Sequence, residues 1–538
     1  MTEGTECVEQ KLKPDKHLST QIFVGTNSRL TLRDSYLLAT QRLPVTLAKS
    51  SYPLMQQSQA FLQNCIEQHM PIYGVNTNFG DQVKFLDANV KNSDTEVSYE
   101  SITSRQENLI KSMSCSLGKP VDKEIIPVAM MLRSHCLAQG YSGVKPELVE
   151  AMLNFLNAGI VPVVNCYGSI GASGDLIPLA SIAAAMIGEE VNVIYKNEII
   201  KAPDALARAG LKKIVPELRD SLAMINGTSF MTAIASIHLY KLKRLFNQML
   251  STIAMTLEAM LVISSAYHPI VHQLKNHSGE IFINDFMLSF WQGSNLLSDL
   301  TELRQANRDT QSTRPVQDYY SLRSVAQGFG TFHENIAKAT RWVEDEMNSV
   351  NDNPIIHAAN QEIYHGANFM GYYITDACDM LKMNIAQAST WLHALLANLL
   401  HSRKSIGLPT NLAEDPAIHN GFRSLQLLTT AICVQNRKLA QAHQSYTLPT
   451  EGDNQDVNSL GTHAALDFQE AVANLQRLTA ISLIAAAQAL EIRGIDKASP
   501  RAQKIFYLLR SLSPKLISCR PMTAEIENII ELMEQEKF

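Results

Sequence analysis

The sequence predicts a mainly α protein, with a mixed N-terminal region followed by a bundle of long helices. Three stretches carry this expectation. Residues 229–264 and 376–400 each run with almost no helix breaker, and residues 471–493 are apolar around nearly the whole circumference of a helix. The last stretch ends in Arg493 and then Gly494, a C-terminal stop. A helix that is apolar all round belongs inside a bundle, and several of them over 300 residues make a large one.

Taken in chain order, residues 1–20 are polar and are expected to be loose. Residues 21–225 form a mixed N-terminal domain, in which short apolar runs alternate with turns such as Tyr-Gly-Val-Asn-Thr-Asn-Phe-Gly-Asp at 73–81. A short hairpin is expected at 191–200, where Val-Asn-Val-Ile-Tyr alternates before Lys-Asn-Glu. Residues 226–538 form the long-helix bundle and a C-terminal helical region. Of the 538 residues, 46% are hydrophobic and 18% charged, with a net charge of −6 and no basic run to track phosphates, so a nucleic-acid partner is not expected. The eight cysteines are scattered without Cys-x-x-Cys spacing, which suggests neither a zinc ribbon nor a disulfide framework and fits a reducing compartment. The acidic N-terminus has no secretory pattern, and every apolar segment is interrupted by polar residues. The expected location is the cytoplasm, with no membrane partner.

The chemistry concentrates at 168–179, Gly-Ser-Ile-Gly-Ala-Ser-Gly-Asp-Leu-Ile-Pro-Leu. Held in a tight turn, Ala172-Ser173-Gly174 can cyclise. The backbone nitrogen of Gly174 attacks the Ala172 carbonyl, and loss of two waters, one carrying off the Ser173 hydroxyl, leaves a methylidene on an imidazolone. This 4-methylideneimidazole-5-one (MIO) is an electrophile that none of the twenty side chains supplies. Glycine lets the nitrogen approach, serine supplies the methylidene, and alanine leaves the ring uncrowded. The alternative is a glycine-punctuated turn before a helix that binds an anion. The glycine spacing fits neither a dinucleotide fingerprint nor a P-loop.

The twelve-residue block resembles the MIO motif of the aromatic amino acid ammonia-lyases and 2,3-aminomutases, a family that includes the histidine, phenylalanine and tyrosine lyases. Further blocks match in family order over roughly residues 30–500. The resemblance implies the aspartase/histidase-like fold in its compact bacterial form. It also implies an MIO built from Ala172, Ser173 and Gly174 with no external cofactor and no metal, an amino acid substrate, and a homotetramer whose sites draw on several chains. It assigns Tyr73, in the Tyr-Gly-Val-Asn-Thr-Asn-Phe-Gly loop, as the base. A tyrosine serves as a base only if its pKa falls about three units, which corresponds to ~4 kcal/mol of differential stabilisation. Asn78 stands where the family has glycine, and Asp81 follows Gly80.

Gln317-Asp318-Tyr319-Tyr320-Ser321-Leu322-Arg323 resembles the family block in which the arginine grips the substrate carboxylate and the tyrosine orients the amine and ring. Arg323 is a planar fork suited to that grip, and Tyr320 shares its face if the segment is helical. Ala326 replaces the family's proline, which predicts a softer kink. Asn226, in Ala-Met-Ile-Asn-Gly-Thr, would bond near the ring and the carboxylate, or cap the following helix, or both. Asn353 and Phe369, in further family blocks, would line the ring's surroundings, and Phe369 has a core role as its alternative.

Two places report on the substrate. Ser112-Met113 stands where phenylalanine lyases resemble each other in Phe-Leu, tyrosine lyases in His-Leu and histidine lyases in Ser-His. Gln455, in the block opening at Glu451, stands where histidine lyases carry glutamate. Both point away from histidine towards an aromatic ring, phenylalanine ahead of tyrosine, giving a trans-arylacrylate. A 2,3-aminomutase making a β-amino acid is the alternative, and a non-catalytic helical scaffold is the reading from another class. A zinc site at His268, His272 and His277 is not expected, because no glutamate lies between the first two and Pro269 disfavours a regular helix.

Overall fold

A computed structural model describes residues 20–77, 79–80, 99–301, 303–305 and 315–535. The expected loose N-terminus up to residue 19, together with Asn78 and Asp81, lies outside the described residues. The protein is mainly helical, and the chain groups into two compact units that are not contiguous in sequence. The first takes Met1–Gly168, Ser173–Ala233 and Met347–Phe369; the second takes Ser169–Ala172, Ile234–Glu346 and Met370–Phe538. The Ala172–Ser173 peptide bond is therefore one of the links between them.

In the first unit, short strands tie helices together. Ile22–Val24 pairs in parallel with Val45–Leu47, and Leu117–Pro120 pairs with Asn165–Tyr167. The hairpin expected at 191–200 is present as Asn192–Tyr195 and Glu198–Lys201, with Val161–Pro162 on its open edge. Ile355–His357 pairs with Glu362–Tyr364. The helix Ile125–Leu137 runs through the centre with every residue buried, Arg133, Ser134 and His135 included.

In the second unit, the long helices Tyr372–Leu399, Arg423–Leu439 and Gly461–Arg493 pack together. Every residue from Leu478 to Leu490 is buried, as an all-apolar circumference requires. The one amide in that run, Gln488, is satisfied by the carbonyls of Leu412 and Leu516 and by the Leu516 N–H. The first long helix, Ser229–Ala259, stops five residues before the apolar pattern does. Leu261 takes a left-handed conformation, and the Val262 N–H returns to the Leu257 carbonyl. This helix stop is usually made with glycine, so the sequence does not announce it. No described helix is long and apolar enough to cross a membrane.

Helices Ser278–Phe290 and Val325–Met347 meet at two glycines. A Cβ on Gly279 would lie 2.3 Å from the Gly330 carbonyl oxygen, and one on Gly330 would lie 2.6 Å from the Glu280 nitrogen. Backbone cannot yield as a side chain can, so Gly279→Ala is expected to lower the unfolding free energy by about 1–3 kcal/mol. A urea titration of the variant beside the parent measures it.

Candidate functional site

The turn that bears Ala172-Ser173-Gly174 is held by close backbone contacts on both flanks. Gly171 packs so tightly on Ser459 and Leu460 that a Cβ would sit 2.2 Å from Ser459 Oγ and 2.6 Å from the Leu460 nitrogen. The Leu460 N–H donates to the Ile170 carbonyl at 3.1 Å, and Thr375 Oγ1 donates to the Ser459 carbonyl at 2.8 Å. After the tripeptide, the Gly227 N–H donates to the Ser173 carbonyl at 3.1 Å, and the Asp175 N–H donates to the Gly227 carbonyl at 2.8 Å. A Cβ on Gly174 would lie 2.1 Å from that carbonyl oxygen. Gly171, Ser173, Gly174 and Leu176 all have positive φ. Ala172, Gly174 and Asp175 are buried, and Ser173 alone of the tripeptide keeps partial exposure.

Asp175 caps the helix Ser229–Ala259 from 55 residues away. Its carboxylate accepts from the Phe230 N–H at 2.6 Å and the Met231 N–H at 3.2 Å. That relieves Asn226 of the capping role. Asn226 is buried at the end of the short helix Asp220–Ile225, and its amide donates to Asp352 Oδ1 at 3.0 Å and to the Asn353 carbonyl at 3.3 Å. Asp352 is fully buried between two guanidiniums. Arg219 grips it through both terminal nitrogens at 3.0 and 3.1 Å, Arg133 lies 3.4 Å away, and Ser142 Oγ donates at 2.6 Å. Burial pushes its pKa up, but Arg219 and then Arg133 outweigh burial and hold it below the usual carboxylate range. Arg133 also donates to the Ala223 carbonyl at 2.7 Å and to Asn351 Oδ1 at 3.1 Å. The sequence reading missed this cluster. Its available signal was one arginine in an otherwise apolar stretch, Ile-Ile-Pro-Val-Ala-Met-Met-Leu-Arg at 125–133.

Asn353 points its side-chain oxygen at the Gly366 N–H, 2.8 Å away, which holds the segment leading to Phe369. Phe369 is half-buried. Tyr73 is also half-buried, and its phenol oxygen accepts from the Gly80 N–H at 3.0 Å. A donor there favours negative charge on that oxygen. The ring meets Phe79 edge-on at 6.2 Å, and the Tyr73 N–H donates to His365 Nε2 at 3.3 Å. Burial, with Arg219 second, holds the His365 pKa below its ordinary value, which keeps Nε2 an acceptor. Ser112 and Met113 end the helix Tyr99–Met113. The Ser112 hydroxyl proton is donated to its own helix at Leu109 O, 3.0 Å away, and Met113 is half-buried.

In the second unit, Tyr320 and Arg323 occupy one helical turn, Tyr320–Arg323. The guanidinium stacks 4.8 Å from the Tyr320 ring centre, so the two share a face. Arg323 Nε donates to the Asp318 carbonyl at 3.0 Å, while Asp318 Oδ2 accepts from the Ile263 N–H at 2.7 Å. Tyr320 is 75% exposed and Gln317 is exposed as well. Tyr320 and Arg323 line an open cleft with Ala266, Val271, Ser324 and Gln327. The helix breaks at Ser324 without a proline, so the kink survives the Ala326 replacement. Glu451, Gly452 and Asp453 all have positive φ in a turn closed by the Thr450–Gln455 backbone pair. The Gln455 amide donates to the Glu451 carboxylate within that turn. Pro269 opens a regular helix, Pro269–Lys275, at the position where its missing N–H costs nothing. His272 pairs with Glu280 at 2.8 Å, and no metal-binding group is found among the described residues.

Comparison with known proteins places this fold and these blocks in one family. The sequence profile "Aromatic amino acid lyase" matches residues 30–511. The chain is 31% identical over 515 residues to a histidine ammonia-lyase of Geobacillus thermodenitrificans, covering 96% of this chain and 98% of that one. It is 31% identical over 514 residues to a tyrosine 2,3-aminomutase of Myxococcus fulvus, with coverages of 94% and 95%. The solved phenylalanine aminomutase of Pantoea agglomerans superposes with a TM-score of 0.89 at 26% identity, covering 95% of this chain and 99% of that one. The chain belongs to the aromatic amino acid lyase family.

Breaking the buried cluster is expected to be costly. Asp352→Asn leaves two guanidiniums without their anion and should lower stability by about 3–5 kcal/mol at pH 7. The folded pKa of Asp352 is depressed, so its contribution is present above the ordinary carboxylate pKa and is lost as pH falls through the folded value. The gap between variant and parent, read by urea titration across pH, should narrow below about pH 4.

Proposed function

We propose that the protein is an MIO-dependent ammonia-lyase acting on an aromatic L-amino acid, phenylalanine ahead of tyrosine. The observation that carries this reading is the turn at 171–176. Gly174 has a positive φ and no room for a Cβ against Gly227, Ala172 is buried, and Ser173 is the member left accessible. These residues fit the ring, because the close approach that cyclisation needs is enforced from both flanks. The MIO supplies an electrophile for the α-amine, which makes ammonia a competent leaving group. Tyr73 takes the β-proton, with the Gly80 N–H supporting the phenolate. Arg323 holds the substrate carboxylate through its terminal nitrogens, and Tyr320, stacked on it, orients the amine and ring. Gln317, exposed in the same block, contributes to binding, and Asn226, Asn353 and Phe369 are assigned to the ring's surroundings.

Substrate choice rests on Ser112, Met113, Glu451 and Gln455. An imidazole substrate calls for a carboxylate or a second histidine. The carboxylate at hand, Glu451, is engaged by the Gln455 amide, and Met113 offers a polarisable apolar surface. Ser112 spends its proton on its own helix, so it offers a phenol no donor. A neutral phenyl ring needs none. The aminomutase reading is favoured by the similarity to the Myxococcus and Pantoea aminomutases, and it differs in retaining the arylacrylate until the amine returns to Cβ. A homotetramer accords with the apolar side chains of Met383, Leu427, Leu428 and Val434, which stand exposed on the helices Tyr372–Leu399 and Arg423–Leu439.

The purified protein is expected to be lighter than its sequence by two waters, and Ser173→Ala to lose both that deficit and the activity. An unmodified mass in active protein would end this reading. On a panel of phenylalanine, tyrosine and histidine, a rise in near-ultraviolet absorbance with ammonia release identifies the lyase, and a β-amino acid on chromatography identifies the aminomutase. Met113→His combined with Gln455→Glu is expected to shift kcat/KM towards histidine by about tenfold or more. A faster parent rate on histidine than on phenylalanine would refute the substrate assignment.

A further inference from the structure

We infer that Gln106 is a positioning residue for the Tyr73 loop. The inference rests on the reading of Tyr73 as the base. Gln106 lies on the helix Tyr99–Met113, two turns before Ser112 and Met113, and its side chain is fully buried. Its amide is used at both ends. Nε2 donates to the Gly74 carbonyl at 3.1 Å, and Oε1 accepts from the Ser221 N–H at 3.2 Å. One end thus holds the Gly74 carbonyl, in the second peptide after Tyr73. The other holds the short helix that ends at Asn226.

The surroundings show that this clamp sets a position as well as filling space. Gly74 has φ +72, and a Cβ there would lie 2.3 Å from Leu222 Cδ2 and 3.0 Å from Phe79 Cε1. The loop backbone is therefore pressed onto the Asp220–Ile225 helix at the point where Gln106 bridges the two. Arg105 reaches the next carbonyl, Val75 O, at the longer distance of 3.4 Å. On the opposite side the Tyr73 N–H is held by His365. The peptide before Tyr73 is thus held by His365, the one after it by Thr77 Oγ1, which accepts from the Gly74 N–H at 3.1 Å, and the next by Gln106, which restricts where the phenol can stand. A buried amide that loses its partners leaves a carbonyl and an N–H unpaired, so the loop would move to find others. The helix that sets Tyr73 also carries the pair that faces the substrate's distal end, so the base and the specificity pocket are placed by one rigid element.

Two variants test this. Gln106→Met keeps the shape and removes both hydrogen bonds; Gln106→Glu keeps the acceptor for Ser221 and, when ionised, removes the donor to Gly74. Both are expected to lower kcat by about ten- to a hundredfold, the usual effect of misplacing a catalytic group by about 1 Å. KM should change by less than about threefold, because the carboxylate grip is untouched. Both should keep the two-water mass deficit and the parent's melting temperature within a few degrees. Because Gln106 acts through Tyr73, adding Gln106→Met to Tyr73→Phe should lower the residual rate no further. The inference is overturned if the single variants keep parental kcat. It is also overturned if they lose the mass deficit and melt early, or if the double variant falls multiplicatively, since each of these marks a purely structural role. The underlying reading fails separately, through full activity of Tyr73→Phe or an inactive parent protein.

Discussion

Asp352 sits with no solvent exposure between Arg133 and Arg219, and the first unit is organised around it. A buried carboxylate is costly unless it is paired and fully hydrogen-bonded. Here Arg219 and Arg133 supply the charge, while Ser142 and Asn226 take up remaining lone pairs. Arg219 also donates to the main-chain carbonyls of Ser142 and Asn353, and Arg133 to that of Ala223 and to Asn351 Oδ1. One ionic cluster thereby joins segments that are more than a hundred residues apart. It also determines where Gly227 runs, since a Cβ on that residue would lie 2.1 Å from Arg133 Nη1. Gly227 in turn holds the Ser173 carbonyl and the Asp175 N–H.

The turn at 171–176 carries strain that these contacts retain. Ser173 and Leu176 are non-glycine residues at positive φ, each costing of order 1–3 kcal/mol when the surroundings enforce it. Ser459 and Leu460 press on one flank and Gly227 on the other, each at a distance only glycine permits. A turn so confined has little conformational entropy left to lose on the ring closure proposed above. Asp175 completes the arrangement by satisfying the first N–H groups of a 31-residue helix, so the turn and the helix start are fixed together.

The residues proposed to choose the substrate lie on other elements. Ser112 and Met113 close one helix, and Glu451 and Gln455 form a self-satisfied turn stabilised by the buried Asn458, whose amide donates to the carbonyls of Leu448 and Gln455. In the function proposed, the chemistry stays constant while a few positions at helix and turn ends change the ring accepted. Relatives at about the same identity that bear the names histidine ammonia-lyase and tyrosine 2,3-aminomutase fit that division.

Periodicity was enough to foresee the long helices, because burying an apolar circumference has only one outcome, as 478–490 shows. Local chemistry was likewise enough to single out the tripeptide, the hairpin at 192–201 and the shared face of Tyr320 and Arg323, since each depends on near neighbours in the chain. The helix stop at Leu261, the cap supplied by Asp175 and the bridge made by Gln106 were not legible. Each is a hydrogen bond or a left-handed turn whose partner or cause lies elsewhere in the fold. The sequence by itself determined the helical architecture and the family, because these follow from pattern and from local sequence blocks. Only the tertiary structure decided that Asp352 is the buried anion, that Asn226 serves it in place of a helix cap, and which backbone groups anchor Tyr73. Electrostatic pairing and close approach depend on distance in space, and spacing along the chain does not encode it.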